Sequence, residues 1–227
     1  MTNPSCAELM EDLLADPKQF YDEGRGYALL QAFFDGEPHE TLRTLLRSQH
    51  FFVRRVAMFV ASELGIDAYD LIDDVITLLN SEDWYLQHYA MEVIAVCAQG
   101  EQAPKFVLVV GMLEHRDERL RGLAMYLMSR VEVSQLVAAR DALMVDVSVN
   151  EVHVRGLGVL TEGQAVDPTV VSAMIGSFDP LTRRYGAIGA KRVDHRYPAL
   201  MKEVAASDDA ELQAFHESNK PKHDPTG

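Results

Sequence analysis

Cysteine is scarce in this sequence. The 227 residues include two, Cys6 and Cys97, which is too few for a disulfide framework or a four-ligand zinc site. Long apolar runs are also missing, since none approaches the ~18 residues that a helix needs to cross a bilayer. Residues 1–4 lack the basic and apolar regions of a secretory signal peptide. These absences predict a cytoplasmic protein without a membrane partner.

Basic residues are few relative to acidic ones. The chain has 21 Lys and Arg against 35 Asp and Glu, a formal net charge of −14. An acidic protein gains little from counterion release on a phosphate backbone, so nucleic acid is not expected as the main partner. The balance favours a basic protein partner. A hydrophobic content of 48% with 25% charged residues indicates a folded chain.

The sequence also lacks the short motifs that carry common chemistries. It has no Gly-rich phosphate loop, no His-Glu-x-x-His, no Gly-x-Ser-x-Gly and no Cys-x-x-Cys. The histidines do not recur at a shared spacing that would suggest a metal site. We therefore expect a non-catalytic protein with no cofactor and no metal.

An internal repeat organises the chain. Each copy has an apolar residue, a short polar turn, an acidic residue or its substitute, and a basic or amide residue four places later. The aligned segments are 46–54, 79–87, 113–121, 147–155 and 175–183. Their closing residues are Arg54, Gln87, Arg121, Arg155 and Arg183, at intervals of 33, 34, 34 and 28 residues. A period near 34 indicates a repeat architecture.

Each repeat is predicted to contain two helices. Apolar residues recur at helical spacing before the turn, as in 71–79, and again after it, as in 86–97. Asp83, Asp117 and Asp179 stand just before a predicted helix, where a carboxylate can accept from free backbone N–H groups. The acid could also pair with the basic residue four places on.

The two-helix unit, the acidic turn and the period resemble HEAT-type α-helical repeats over roughly residues 25–205. Gln87 departs from that pattern, as do His50 and Glu151. The resemblance implies an all-α, right-handed α-solenoid of about five repeats with capping helices. We expect one domain over residues 1–215 and a flexible tail over 216–227.

Two groups of residues are candidates for partner binding. Asp70, Asp73 and Asp74 would share one face of an α-helix that starts near Asp67, where like charges add nothing to a core. The alternative is a solvated helix face. A second group occupies positions next to the apolar residues that face inward on the second helices. These side chains could anchor a protein partner. The alternative is that they pack in the core or at its rim. The members of this group are Phe52, Arg55, Phe59, Trp84, Tyr85, His88, Glu92 and Tyr126.

Two enzyme families use the same scaffold. Deoxyhypusine hydroxylase repeats a His-Glu pair to bind two irons, but His39-Glu40 and His216-Glu217 do not occupy equivalent repeat positions here. The HEAT-like DNA glycosylases need a basic concave surface, which this chain lacks apart from local groups at 54–55 and 183–192. The glycosylase remains the enzymatic alternative.

One further resemblance suggests a role. Gly-Tyr-Ala-Leu-Leu-Gln-Ala-Phe-Phe-Asp-Gly at 26–36, with 42–47 and 59–65, resembles small bacterial HEAT-like immunity proteins of polymorphic-toxin and contact-dependent inhibition systems. The resemblance implies an inhibitor that neutralises a basic nuclease toxin. A cytoplasmic scaffold or assembly factor is the alternative. The sequence does not specify the oligomeric state.

Overall fold

The computed structural model describes residues 4–145 and 151–220, apart from the side chain of Gln164. Residues 147–150 of the fourth aligned segment and residues 221–227 of the predicted tail lie outside this part. The α-helices of the described residues are α1 Cys6–Ala15, α2 Pro17–Asp22, α3 Gly26–Phe34, α4 His39–Leu46, α5 Phe51–Glu63, α6 Ile72–Thr77, α7 Trp84–Cys97, α8 Val107–Gly111, α9 Glu118–Met128, α10 Val133–Val145, α11 Glu151–Thr161, α12 Pro168–Ile175, α13 Pro180–Arg192, α14 Pro198–Ala206 and α15 Ala210–Ser218.

The fold is all-α. Within the described ranges the regular structure consists of these α-helices and short 3₁₀ segments, and no strand is present, which confirms the predicted class. The chain forms two compact units, Met1–Ala98 and Gln99–Gly227. The single domain over residues 1–215 stays a prediction.

Acidic residues cap the second helices as predicted. Asp83 accepts a hydrogen bond from the backbone N of Tyr85 at 3.1 Å, and Asp117 accepts one from Arg119 at 2.9 Å. Asp179 accepts from the backbone N of Thr182 at 2.7 Å. These bonds satisfy donors that an α-helix leaves free at its start. His50, which stands where an acid was expected, makes no side-chain cap bond to α5.

In the first three repeats, the side chain of the closing residue bonds to a backbone carbonyl in the turn before its helix. Arg54 donates to the carbonyl of Ser48 at 2.8 Å, and Arg121 donates to that of His115 at 2.8 Å. Gln87 keeps the same role, with its amide donating to Leu79 O at 2.9 Å. The pairing suggested between the acid and the closing residue is absent in the third repeat. There Arg121 pairs with Glu211 at 2.9 Å, while Asp117 pairs with Arg119.

Acid should weaken the fold through these caps. The hydrogen bond from Arg119 holds the pKa of Asp117 at about 2, and bonds from Thr182 lower the pKa of Asp179. A lowered pKa in the folded state stabilises the protein above the unfolded value, near 4 for Asp, and this contribution is lost as pH falls through the folded value. We expect the urea midpoint to fall between about pH 4 and pH 2. Asp117→Asn keeps a capping oxygen and should show a shallower fall; equal slopes would contradict this assignment.

The first helix of the predicted repeats is interrupted. Residues Gly65–Leu71 and Gly100–Phe106 form 3₁₀ helices, which α6 and α8 follow. Gly65 and Gly100 open these segments with φ of +60° and +53°, a conformation that other residues rarely adopt. Pro104 inside the second segment lacks a backbone donor. The 3₁₀ segment turns once every three residues, so the side-chain register differs from that of a continuous α-helix.

The first unit is built around α5 and α7. The stripe predicted to face inward on α5 is buried, with Val53, Val56 and Val60 at most 2% exposed. Ala57 and Ala90 are fully buried, and α5 and α7 pack against each other. Helix α5 also contacts α2, α3 and α4. The other faces of α5 therefore contact the N-terminal helices, and two of these, α2 and α3, contribute residues to the candidate site described below.

The second unit has α13 at its centre, in contact with α11 and α12. Tyr185 of α13 is fully buried and bonds through its hydroxyl to His153 Nδ1 at 2.8 Å. The other ring nitrogen of His153 lies 2.9 Å from Glu114. The α11 backbone approaches the Tyr185 ring at Gly156, where a Cβ would lie 2.3 Å from the ring. This close approach requires glycine.

The C-terminal helix extends further than the sequence suggested. Helix α15 continues to Ser218, so residues 216–218 of the predicted tail are helical. Asn219 is buried and donates to the carbonyl of Phe215 at 2.8 Å. Leu212 and Phe215 supply the apolar contacts that hold this helix to the unit.

No described helix combines the length and apolar character required to span a bilayer.

Candidate protein-binding surface

The three predicted acidic residues do not share one exposed face. Asp70 belongs to the 3₁₀ segment, whereas Asp73 and Asp74 lie in α6. Asp70 and Asp73 are exposed, but Asp74 is only 8% exposed. The expectation of a shared face is therefore wrong for Asp74, because the change from 3₁₀ to α turns this side chain toward α4.

Basic residues of α4 offset part of this acidic group. Arg47 donates to Asp74 at 2.6 Å, and Arg43 Nε lies 3.2 Å from the same carboxylate. Asp70 pairs with His39 at 2.8 Å, and Arg43 donates to its backbone carbonyl at 2.9 Å. Asp74 thus holds α6 to α4, whereas Asp70 and Asp73 are exposed.

The aromatic candidates lie in the first unit with two tyrosines that the sequence analysis did not select. Phe52 packs on Tyr21 of α2, with 5.4 Å between ring centroids. Phe59 meets Tyr27 of α3 edge to face at 4.9 Å. Tyr21 and Tyr27 were missed because both precede the first aligned segment of the repeat, 46–54. Their aromatic character next to the start of the array was the available signal.

Arg55 joins these rings to α7. Its guanidinium makes two parallel hydrogen bonds to Asp83, each 2.8 Å long, and both side chains are mostly buried. The guanidinium carbon also lies 4.5 Å from the centroid of Phe51 and 4.9 Å from that of Tyr85. The bonds to Asp83 raise the pKa of Arg55, and burial raises the pKa of Tyr85. Arg55 is therefore a fixed cation that organises the aromatic cluster.

A groove of about 220 Å³ opens beside this cluster. We call it the aromatic groove; its walls are Tyr21, Gly24, Gly26, Tyr27, Val56, Phe59 and Tyr85. Glycine at position 26 keeps the backbone close to Phe59, because a Cβ there would lie 3.0 Å from the ring. Tyr27 is 68% exposed and forms an accessible wall. The groove is concave, largely apolar and held by residues that pack on one another.

The remaining candidates of α7 extend the aromatic surface. Trp84 is partly exposed at the start of the helix and meets His88 edge to face at 5.8 Å. His88 Nε2 lies 3.6 Å from Glu92, one turn further on. Tyr85, Trp84 and His88 thus form one continuous side of α7.

Tyr126 belongs to the second unit. It lies in α9, where the guanidinium of Arg130 stacks 4.3 Å from its ring centroid. We therefore describe Tyr126 separately from the aromatic groove.

Negative charge is concentrated in the first unit. Residues 1–98 contain 6 Lys and Arg against 17 Asp and Glu, a formal charge of −11, whereas residues 99–227 contain 15 against 18, a charge of −3. Most of the acidic balance of the chain therefore lies in the unit that carries the aromatic groove. A basic partner would be drawn to this unit.

The described residues contain no group of three or more His, Cys, Asp or Glu side chains arranged to hold a metal ion. Cys97 is buried and donates to Gly65 O at 3.3 Å. Burial raises the pKa of Cys97 to about 11, and that of Cys6 to about 11. Both thiols are protonated at neutral pH and are poor nucleophiles in this state.

Comparison with known proteins adds little to this description. No family model matches the chain, and no curated protein does so. The crystal structure of an engineered protein from the Northeast Structural Genomics Consortium is similar over 78% of this chain and 93% of its own, with a TM-score of 0.42 and 16% identity. A likeness of this degree defines neither a family nor a function.

Proposed function

We propose that the chain is a protein-binding module whose first unit receives a basic partner at the aromatic groove. The observation that carries this proposal is the groove itself, because its walls are aromatic, Tyr27 among them is exposed, and the Arg55–Asp83 pair beside it holds Tyr85 in place. Rigid aromatic side chains lose little conformational entropy on binding and are frequent anchors in protein interfaces. An apolar or aromatic side chain of the partner would fill the groove.

The charge of the unit supports the choice of a basic partner. A formal charge of −11 in residues 1–98 speeds the approach of a cationic protein and repels nucleic acid. Asp73 and the exposed acids of α1 and α2 would act in the encounter, while the groove would slow dissociation.

We further propose that the partner is a basic nuclease-type toxin domain and that the chain is its immunity protein. The resemblance at 26–65 lies in the first unit and includes Gly26, Tyr27 and Phe59 of the groove. We also propose that the helices follow a HEAT-like, right-handed solenoid. The second helices at Phe51, Trp84, Glu118, Glu151 and Pro180 begin at corresponding places in the repeat, which supports this arrangement.

The test of the groove uses Tyr27→Ala. The partner is first identified by affinity capture from the native cells at physiological salt, and binding is then measured with the purified partner. We expect Tyr27→Ala to raise Kd by about 30-fold, as for an interface anchor that contributes about 2 kcal/mol. Much of Tyr27 is exposed, so the fold should survive the change.

Phe34→Ala is the matched control, because Phe34 is 55% exposed on the same helix and does not line the groove. Equal affinity of both variants would rule out the groove. A captured set of weak, exchangeable partners without a toxin domain would favour the scaffold, and release of a modified base from DNA would favour the glycosylase. Loss of protection against the toxin in Tyr27→Ala cells would support the immunity role.

The acidic contribution is tested with Asp73→Lys. We expect association with the basic partner to slow by roughly two- to tenfold at low salt, with a weaker dependence on ionic strength. Stopped-flow association kinetics measure both. Asp74 is unsuitable for this purpose, since its reversal would break the pairs with Arg43 and Arg47 inside the protein. An unchanged association rate at low salt would remove Asp73 from the interface.

A further inference from the structure

The second unit contains a cavity of about 320 Å³ that is separate from the aromatic groove. Its walls come from the segment that joins α9 to α10, the first residue of α10, the later part of α11, the end of α13 and the residues that follow α11 and α13. We call it the α9–α13 cavity. Its volume is near the lower limit for small-molecule sites in proteins.

The floor of the α9–α13 cavity is apolar. Leu160, Val166 and Val193 are buried and line it, together with Val131 and Val159. Branched aliphatic side chains of this kind favour a short aliphatic body in the ligand.

The polar lining is mainly cationic. Arg130 and Arg192 both line the cavity, His195 adds an imidazole, and Glu132 is the acid among the lining residues. Helix α10 begins at Val133 in the same wall, and the start of a 13-residue helix adds partial positive charge. This local balance differs from that of the strongly acidic chain as a whole.

One side of the Arg192 guanidinium makes no hydrogen bond to the described residues. Its Nη1 donates to the carbonyls of Met128 and Val131, at 2.9 Å each, and so covers the end of α9. Among the described residues, its Nε and Nη2 donate to no acceptor. These two nitrogens form the side of the guanidinium that matches both oxygens of a carboxylate. Burial lowers the pKa of Arg192, and the negative charge of Glu132 opposes this shift only in part.

We propose that the α9–α13 cavity binds a small aliphatic carboxylate, with its oxygens on the Nε–Nη2 edge of Arg192 and its chain on the valine floor. Arg130 adds a second positive charge at the rim. This site is independent of the proposed partner surface, since all its residues belong to the second unit.

Isovalerate titrated into the ¹⁵N-labelled full chain tests the proposal, with 3-methylbutan-1-ol as a neutral ligand of similar shape. We expect isovalerate to shift the backbone amide signals of Gly163 and Gly189 saturably, with Kd on the order of 1 mM. The alcohol should bind at least about tenfold more weakly, because it cannot accept the charge-assisted pair of bonds.

Two variants test the cations. Arg192→Lys keeps the charge but loses the planar fork, and should weaken isovalerate binding by about tenfold. The Arg130 side chain stacks on Tyr126. Arg130→Gln leaves the hydrogen bonds at the end of α9 in place and should weaken isovalerate binding by about threefold. Arg116→Gln is the control for loss of one charge, because this exposed residue does not line the cavity. Equal binding of acid and alcohol, or full binding by the Arg130→Gln/Arg192→Lys double variant, would overturn the site.

Discussion

Arg55→Ala is expected to destabilise the first unit by about 3 kcal/mol, since removal of one partner from a buried ion pair leaves an uncompensated charge. Asp83 would keep its cap bond to Tyr85 but lose both bonds from the guanidinium. The stacking of Arg55 on Phe51 and Tyr85 would also be lost. Urea unfolding followed by tryptophan fluorescence measures this directly, because the single tryptophan, Trp84, begins α7 beside the pair.

Arg54→Ala is the matched control, one residue earlier on the same helix. Arg54 donates to the backbone carbonyl of Ser48, so its loss should cost only about 1 kcal/mol. Asp83→Asn retains a capping oxygen, and the double variant with Arg55→Ala should show a coupling energy of about 1–3 kcal/mol. Similar losses for Arg54→Ala and Arg55→Ala, with no coupling, would mean that the pair does not organise the cluster.

Gly156→Ala is expected to destabilise the second unit by about 2–3 kcal/mol, because the new Cβ would overlap a buried ring. This atom would lie 2.3 Å from Cγ of Tyr185 and 2.5 Å from both of its Cδ atoms. Tyr185 is fully buried and its hydroxyl is bonded to His153, so the ring has little freedom to move away. Far-UV circular dichroism during urea unfolding measures the loss.

Gly158→Ala, on the same helix, is expected to stabilise the second unit. A Cβ at position 158 would meet no atom within 4 Å, and alanine is preferred over glycine inside a helix. This variant should be stabilised by up to about 1 kcal/mol. A neutral or stabilising Gly156→Ala would show that the contact between α11 and Tyr185 can relax.

The helical framework was accessible from the sequence because its determinants are local. Asp83, Asp117 and Asp179 cap helices within three residues of their own positions, and the apolar stripe of α5 follows from helical periodicity. The choice of Phe59 and Tyr85 as candidates also came from this register. Gly65 and Gly100 were harder to interpret, since a positive φ that opens a 3₁₀ segment depends on how the following residues pack.

The candidate surface needed contacts between distant parts of the chain. Tyr21 and Tyr27 enter the groove because α2 and α3 pack on α5, which no short-range pattern indicates. Asp74 was predicted as part of an exposed patch but is paired with Arg43 and Arg47, 27 or more residues earlier. Long-range pairs of this kind convert an apparent binding residue into a structural one.

The all-α class, the starts of the helices capped by Asp83, Asp117 and Asp179, and the acidic balance follow from the sequence alone, because periodicity, capping and charge are properties of neighbouring residues or of composition. The tertiary structure decided which side chains meet. It placed Arg55 against Asp83, brought Tyr27 to Phe59, and put Arg192 in the wall of the α9–α13 cavity. Such contacts depend on how helices far apart in sequence pack together, and only the folded chain brings them within bonding distance.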